Sequence, residues 1–335
     1  MGQSIVKAIY AAREAEADNG FRPHLGASRI GIECSRALWY EFRWSKKASF
    51  SGRMLRLFET GQLAEPRFIS DLRRIKIEVS EGPAAGEQWR FAAVDGHFGG
   101  SMDCAVCIKG EWMVGEFKTH SAKSFAELIA KGVAKSKPVH EAQMQVYMGL
   151  SGMNKAMYMA VNKDTDELHV EFIDFDEARY TTLMDKAKNI IYCDEPPQKL
   201  STDPAFFQCK FCDYSSICHG NDVPVPTCRS CAHVTATKEG KWRCEFNQAD
   251  TDCKGCDQHR YIPKLLDNFA EFVDADGHNV TYKNKLTGNH FNNGEGAAND
   301  YASNEIWAAH SKETLGDPMV EEIREEFGAK IVEAI

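Results

Sequence analysis

The sequence has no apolar run of the roughly 18 residues needed to cross a bilayer, so no membrane-spanning helix is expected. It has no G-x-x-x-x-G-K-[ST] loop, so this chain carries no P-loop ATPase motor. No internal repeat is found. The first segment, MGQSIVKAIYAAREAEADNG, lacks the apolar core and cleavage site of a secretory signal and reads as a short amphipathic helix. Gly2 opens a weak myristoylation pattern, but Val6 stands where Ser or Thr is required. The expectation is a cytoplasmic protein with no membrane partner. Positive charge is also short: 40 Lys and Arg against 49 Asp and Glu leave a net −9. That balance argues against tight, sequence-specific nucleic-acid binding. It does not exclude a local basic groove, since Arg29 to Lys76 holds eleven Lys/Arg against five Asp/Glu, and Asp300 to Ile335 holds three against nine.

Cysteine, by contrast, is plentiful. Of 12 cysteines, eight lie between Cys209 and Cys256, several in C-x2-C pairs. In a reducing compartment paired thiols read as metal ligands rather than disulfides. Cys104, Cys107 and Cys193 read as core residues.

Periodicity gives an element order. Residues 28–76 carry apolar positions at three- and four-residue spacing and read as helices. QWRFAAVDG, GGSMDCAVCI and EWMVGEFKT are short β-rich runs punctuated by glycine. SFAELIAKGV and HEAQMQVYMGLSGM read as helix, KAMYMAVNK and LHVEFIDF as strands, and EARYTTLMDKAKNII as helix. Few periodic features follow Tyr261 until PMVEEIREEFGAKIVEAI, a terminal helix and strand. The order predicts an α/β core with a mixed central sheet flanked by helices.

The chemistry-bearing residues lie between Asp103 and Lys118. Side chains alternate along a strand, so Glu116 and Lys118 share one face and Phe117 turns to the other. A hairpin would bring Asp103 beside Glu116. Two carboxylates suit Mg²⁺ or Mn²⁺, and a lysine beside them offsets charge developing on a phosphate. An E-x-K triplet alone is more often a solvated strand edge. Two further features favour the chemical reading: Gln143 and Tyr147 share one face of the following helix, and Gly61-Gln62-Leu63-Ala64-Glu65 places an acid on an earlier helix. Glu59 competes with Glu65, and Asp95 with Asp103.

The ordered set Gly61…Glu65, Gly100-Ser101-Met102-Asp103, Glu116-Phe117-Lys118 and Gln143…Tyr147 resembles the RecB-like branch of the PD-(D/E)XK nucleases, including CRISPR-associated and phage exonucleases with an iron–sulfur cluster. The resemblance implies a restriction-endonuclease-like core. It makes Asp103 and Glu116 ligands of Mg²⁺ or Mn²⁺, with Glu65 and the Phe117 carbonyl completing the shell. Lys118 becomes the catalytic lysine, and Gln143 and Tyr147 position the DNA or the active-site groups. The proline that precedes the aspartate in many relatives is replaced by Met102. Cys34 together with Cys209, Cys212 and Cys218 resembles the family's [4Fe–4S] staple. Zinc in the same thiolates is the competing reading. Arg36, beside Cys34, is either a DNA phosphate contact or a surface arginine pairing with Glu33 or Glu41.

Residues 228–259 form a second cysteine unit. Tetrahedral zinc takes four N or S ligands, and Cys228, Cys231, Cys244 and Cys256 supply them, with Cys253 or His259 as substitutes. TATKEGKWRCEF would form the hairpin between the knuckles. The expected organisation is a nuclease domain over 1–222, a zinc-ribbon-like module over 223–262 and a C-terminal α/β tail over 263–335. The functional expectation is a metal-dependent DNA exonuclease acting on single-stranded or frayed ends in a prokaryotic or phage-infected cell. A homo-oligomeric ring around DNA is compatible with it. The competing expectations are a non-catalytic DNA-binding or scaffold subunit, and a zinc-ribbon adaptor on a nuclease-like platform.

Overall fold

The computed structural model describes residues 2–17, 20–295 and 299–329. The chain opens with helix α1 (Gly2–Glu16), a short strand β1 (Leu25–Gly26), α2 (Ser35–Phe42) and the long α3 (Gly52–Arg74). The Ser51 hydroxyl caps α3 by accepting from the Met54 N–H, and Arg73 and Arg74 lie at its negative end. Five strands follow: β2 (Glu78–Ser80), β3 (Arg90–Ala93), β4 (Phe98–Ser101), β5 (Cys104–Ile108) and β6 (Glu111–His120). Then come α4 (Ala122–Ser136), α5 (Pro138–Ser151), β7 (Lys155–Asn162), β8 (Leu168–Asp174) and α6 (Glu177–Tyr192).

The predicted mixed sheet is present, in the order β2-β5-β6-β7-β8. All its neighbouring pairs are antiparallel except β6 and β7, which run parallel. The parallel pair needs a crossover, and α4 and α5 provide it. The strands β3 and β4, from the first two of the glycine-punctuated β-rich runs, form a small separate sheet with β1, in the order β1-β4-β3.

Each face of the main sheet has its own apolar cover. Phe68, Ile69 and Leu72 of α3 pack on Val106, Met113, Phe117, Met157 and Met159. The other face presents Ala105, Val114, Ala156 and Ala160 to α4, α5 and α6. Helix α5 is buried continuously from Ala142 to Met148 and is therefore held from all sides. It starts with Pro138 in its first turn and stops at Gly152, whose φ of 74° is a left-handed conformation open to glycine.

The cysteine-rich segment begins with two single-turn helices, α7 (Phe207–Lys210) and α8 (Ser215–Cys218). A three-stranded antiparallel sheet follows, β9 (Val234–Ala236), β10 (Trp242–Cys244) and β11 (Ala249–Thr251), including the predicted hairpin. The tail has more structure than its weak periodicity suggested. Strands β12 (Ala270–Ala275), β13 (Val280–Asn284), β14 (His290–Asn293) and β15 (Asp300–Tyr301) form a sheet, covered by α9 (Ser303–His310) and α10 (Pro318–Phe327). The predicted terminal strand falls on residues 330–335, outside the described residues.

These segments share one apolar core, which runs from Leu25 through Trp39 and Trp242 to Phe327. Two buried arginines join the cysteine module to the N-terminal helices. Arg229 lies 3.8 Å over the Trp44 ring and donates to the carbonyls of Phe42 and Pro23. Arg43 stacks on Trp39 and Trp242 and donates to the carbonyls of Cys193, Arg229 and Val234. No helix among the described residues is long and apolar enough to cross a membrane.

Candidate active site

The register of β5 and β6 pairs Cys104 with Gly115, which sets Asp103 opposite Glu116 as the hairpin reading expected. Asp103 Oδ2 accepts the Phe117 N–H at 2.8 Å. Met102 is fully buried and donates its N–H to Trp89 O at 3.0 Å, a bond that proline at this position would forfeit.

Along β6, Glu116 and Lys118 face one side, and Phe117 turns away to stack on Phe68 at 5.0 Å. Glu116 is fully buried. One of its oxygens is paired with the Lys118 ammonium and the other accepts from Gln143 Nε2 at 3.2 Å. Lys118 also donates to the Phe117 carbonyl at 3.1 Å. Tyr147, one turn beyond Gln143, donates to Ser101 O at 2.7 Å and packs over Gly100, where an added Cβ would sit 2.7 Å from the phenol oxygen. Gln143 and Tyr147 therefore tie α5 to β6 and β4 respectively.

The helix-borne acid is distinguished by rotation. Glu59 turns outward and pairs with Arg13 of α1 at 2.9 Å. Glu65 turns inward, where burial and then Asp103 raise its pKa. Burial dominates at Glu116 and pushes its carboxyl up to about 7; Lys118 opposes this, while Asp103 and Glu65 add to it. At Lys118, burial lowers the pKa, but Glu116, Asp103 and Glu65 outweigh it and hold the ammonium above the usual lysine range. Asp95, the weaker alternative to Asp103, lies apart and accepts from the Tyr192 hydroxyl at 2.5 Å.

Two open depressions, of about 690 and 730 Å³, meet at Gln62 and Glu65. Asp103 lines the larger, and Lys118, with His120, Lys137, His140 and Lys163, lines the other. A third cavity of about 420 Å³ is lined by Arg22, His24 and Arg90 together with Gln143 and Tyr147. These basic and histidine side chains were not singled out from the sequence. Two of them carried a signal: period two along E-F-K-T-H places His120 beside Lys118, and H-x-x-Q places His140 one turn before Gln143. Arg22 and Arg90 come from distant segments and carried none.

The cysteines fall into two groups. Cys34, Cys209, Cys212 and Cys218 line one cavity of about 30 Å³ together with Arg36 and Tyr40. Burial raises the Cys212 and Cys218 thiols, and the neighbouring Cys34 adds to both shifts. Arg36 is engaged here rather than at the groove: it donates to Pro197 O at 2.8 Å and to the Tyr40 hydroxyl at 2.9 Å. Neither proposed carboxylate partner takes it; Glu41 pairs with Arg29 and Glu33 accepts from Gln208.

In the second group, burial pushes Cys231 up to about 11, with Cys228 and Cys244 contributing. The same two thiols raise Cys256, after burial. Burial raises the Cys253 thiol too, Arg229 opposes this and Cys228 adds to it, while His259 Nε2 lies 3.0 Å from Ser230 Oγ. Among the described residues, no three His, Cys, Asp or Glu side chains already close into a metal-binding group. Cys104 and Cys193 do not join either group; Cys104 packs in the sheet core and Cys193 donates to Glu195 O at 2.9 Å.

No family model matches this chain, and no curated protein does. Among solved structures, the chain is similar to the crystal structure of SSO0001, at a TM-score of 0.42 and 18% identity, over 65% of this chain and 98% of that one. It is also similar to an alkaline exonuclease from Laribacter hongkongensis, at a TM-score of 0.39 and 19% identity, over 55% and 90% of the two chains. The same exonuclease in complex with dAMP aligns at a TM-score of 0.37.

Proposed function

We propose that this chain is a Mg²⁺- or Mn²⁺-dependent deoxyribonuclease acting as an exonuclease on single-stranded or frayed DNA ends. The observation that carries the reading is the approach of Glu65, Asp103 and the buried Glu116 to one another where two depressions meet at Glu65, with Lys118 paired to Glu116. Asp103 raises the pKa of Glu65, and both raise that of the fully buried Glu116, so the three form a donor set that a hard divalent cation would relieve. The residues that would hold it are Glu65, Asp103, Glu116 and the Phe117 carbonyl. Such a cation supplies Lewis acidity to a phosphoryl group and lowers the pKa of water.

The chain's own groups do the rest. The Phe117 N–H fixes one Asp103 oxygen and leaves the other free to face the groove. Gln143 holds the Glu116 carboxylate in orientation. The Lys118 ammonium, at the groove wall, offsets negative charge that grows on the phosphate during hydrolysis. Basic side chains line the neighbouring cavities, Lys137 and Lys163 with Glu65 and Lys118, and Arg22 and Arg90 with Gln143. A DNA strand bound across the acids would meet this positive charge nearby, in keeping with local rather than overall basicity.

Two structural metal units belong to the same reading. The thiolates of Cys34, Cys209, Cys212 and Cys218 suit a [4Fe–4S] cluster in number and softness. Cys228, Cys231, Cys244 and Cys256 suit zinc. The test of the central reading is degradation of a labelled single-stranded DNA with Mg²⁺ or Mn²⁺. Metal-filled protein that leaves DNA intact, with no difference on Lys118→Ala, would refute it.

A further inference from the structure

The row of side chains on β6 does not stop at Lys118. It continues into a hydrogen-bonded group that the hydrolysis above does not use. His120 Nε2 lies 2.8 Å from the Tyr158 hydroxyl, and His140 Nδ1 lies 2.9 Å from the same oxygen. Ser124 Oγ lies 3.2 Å from His120 Nδ1. Tyr158 is fully buried, while Ser124, His120 and His140 line the groove beside Lys118, Lys137 and Lys163.

A phenol carries one proton, so Tyr158 donates to one imidazole and accepts from the other. Burial, then Lys137 and Lys118, hold His120 down to about 4. Burial, then Lys118, His120 and Lys137, hold His140 down to about 3. Both rings are neutral at pH 7, each with one N–H. Two bond patterns remain. In the first, Ser124 donates to His120, His120 to Tyr158 and Tyr158 to His140 Nδ1, which leaves His140 Nε2–H as a donor. In the second, every bond is reversed and His140 Nε2 is an acceptor. A phosphate oxygen can only accept, so a phosphate in the groove selects the first pattern.

We infer that His140, its tautomer set through Tyr158 and His120, donates to a backbone phosphate of the bound strand, in a subsite completed by Lys137 and Lys163. The inference rests on the nuclease reading and names one subsite within it. Apart from Glu65, which belongs to the metal set, the acids around the subsite are already engaged. Glu127 pairs with Lys131 at 2.8 Å and reaches Lys137 only at 3.9 Å. Asp164 accepts from the Ala122 N–H, and Glu171 accepts from the Val133 N–H. A neutral N–H donor between ammonium groups adds direction without adding charge near the Lys118–Glu116 pair.

The test is binding of a fluorescein-labelled single-stranded oligodeoxynucleotide to the full chain in EDTA, read by anisotropy. His140→Ala should weaken binding roughly tenfold, as loss of a hydrogen bond to a charged group does. His140→Gln, whose amide still donates, should recover most of it. Tyr158→Phe, which removes the lock, should weaken binding as well. Lys163→Ala should lower the slope of log affinity against log salt by about 0.7, one phosphate contact on a single strand. Thermal melting confirms that each variant folds, and His140→Leu replaces His140→Ala if the latter does not. Wild-type affinity in folded His140→Ala (or His140→Leu) and Tyr158→Phe overturns the subsite and leaves the nuclease reading standing. A wild-type chain that binds no oligonucleotide removes both.

Discussion

The backbone N–H of Phe117 donates to Asp103 Oδ2 at 2.8 Å, so the peptide between Glu116 and Phe117 holds the opposing acid in place. Asp103→Asn keeps an oxygen for that bond but loses the charge. It should fold like the wild type and lose divalent-cation binding. Asp103→Ala should lose the bond too, and about 1 kcal/mol of stability with it. Isothermal titration with Mn²⁺ and urea unfolding separate the two losses.

Lys118 and Gln143 both hold Glu116, but only Lys118 carries charge to the groove. Lys118→Ala should lower kcat by about 10²–10³, the scale of losing one group aimed at transition-state charge. Gln143→Ala should cost less, since it frees one Glu116 oxygen without removing the ammonium. Single-turnover cleavage of labelled DNA measures both.

The two cysteine groups should fail independently. Cys209→Ser should lower iron and the broad visible absorbance while zinc stays near one per chain. Cys228→Ser should lower zinc and leave the iron in place. Elemental analysis of anaerobically purified protein reads both, and loss of the same metal in both variants would falsify the assignment of separate sites.

Arg229 is 2% exposed, and burial holds its guanidinium down to about 10. Arg229→Met would leave the Phe42 and Pro23 carbonyls without their donor and remove a cation stacked on Trp44. The expected cost is about 3 kcal/mol or more, read as a lower urea midpoint at unchanged slope. Nuclease specific activity of the still-folded fraction should be close to wild type, because Arg229 lies away from the groove.

Acid should destabilise the fold through its histidines. Burial is the leading cause that holds His259 at about 3 and His310 at about 4, against 6.5 when unfolded. Between those values the unfolded chain binds more protons than the folded one, so stability rises with pH across this window. Their contribution is complete above about pH 6.5 and is lost as pH falls toward 4. Denaturant midpoints from pH 7 to 4.5 should fall, and His310→Gln should flatten the slope.

Much of the site was legible because it follows from short-range geometry. Strand alternation placed Glu116 and Lys118 together, the hairpin placed Asp103, and helical spacing placed Gln143 with Tyr147. The choice between Glu59 and Glu65 was not legible. Residues six apart on a helix point about 240° apart, so only one could face the groove, and the rotation of α3 is set by Phe68, Ile69 and Leu72 packing on the sheet. The small β1-β4-β3 sheet depends on a two-residue strand, too short to show any period. The tail sheet was missed for a related reason: β12 is exposed from Glu271 to Ala275, so no apolar alternation marks it.

The single core that runs from Leu25 to Phe327 has a bearing on how such a chain can vary. A protein made of separable parts can lose or exchange one and keep the others working. Here Trp242 of the cysteine module packs on Phe42 and His97 of the half that carries the candidate site, and the buried arginines thread between them. The cysteine module is thus less an accessory than a wall of the half that carries the candidate site. Grafting it elsewhere, or deleting it, would remove packing that the groove's own scaffold depends on.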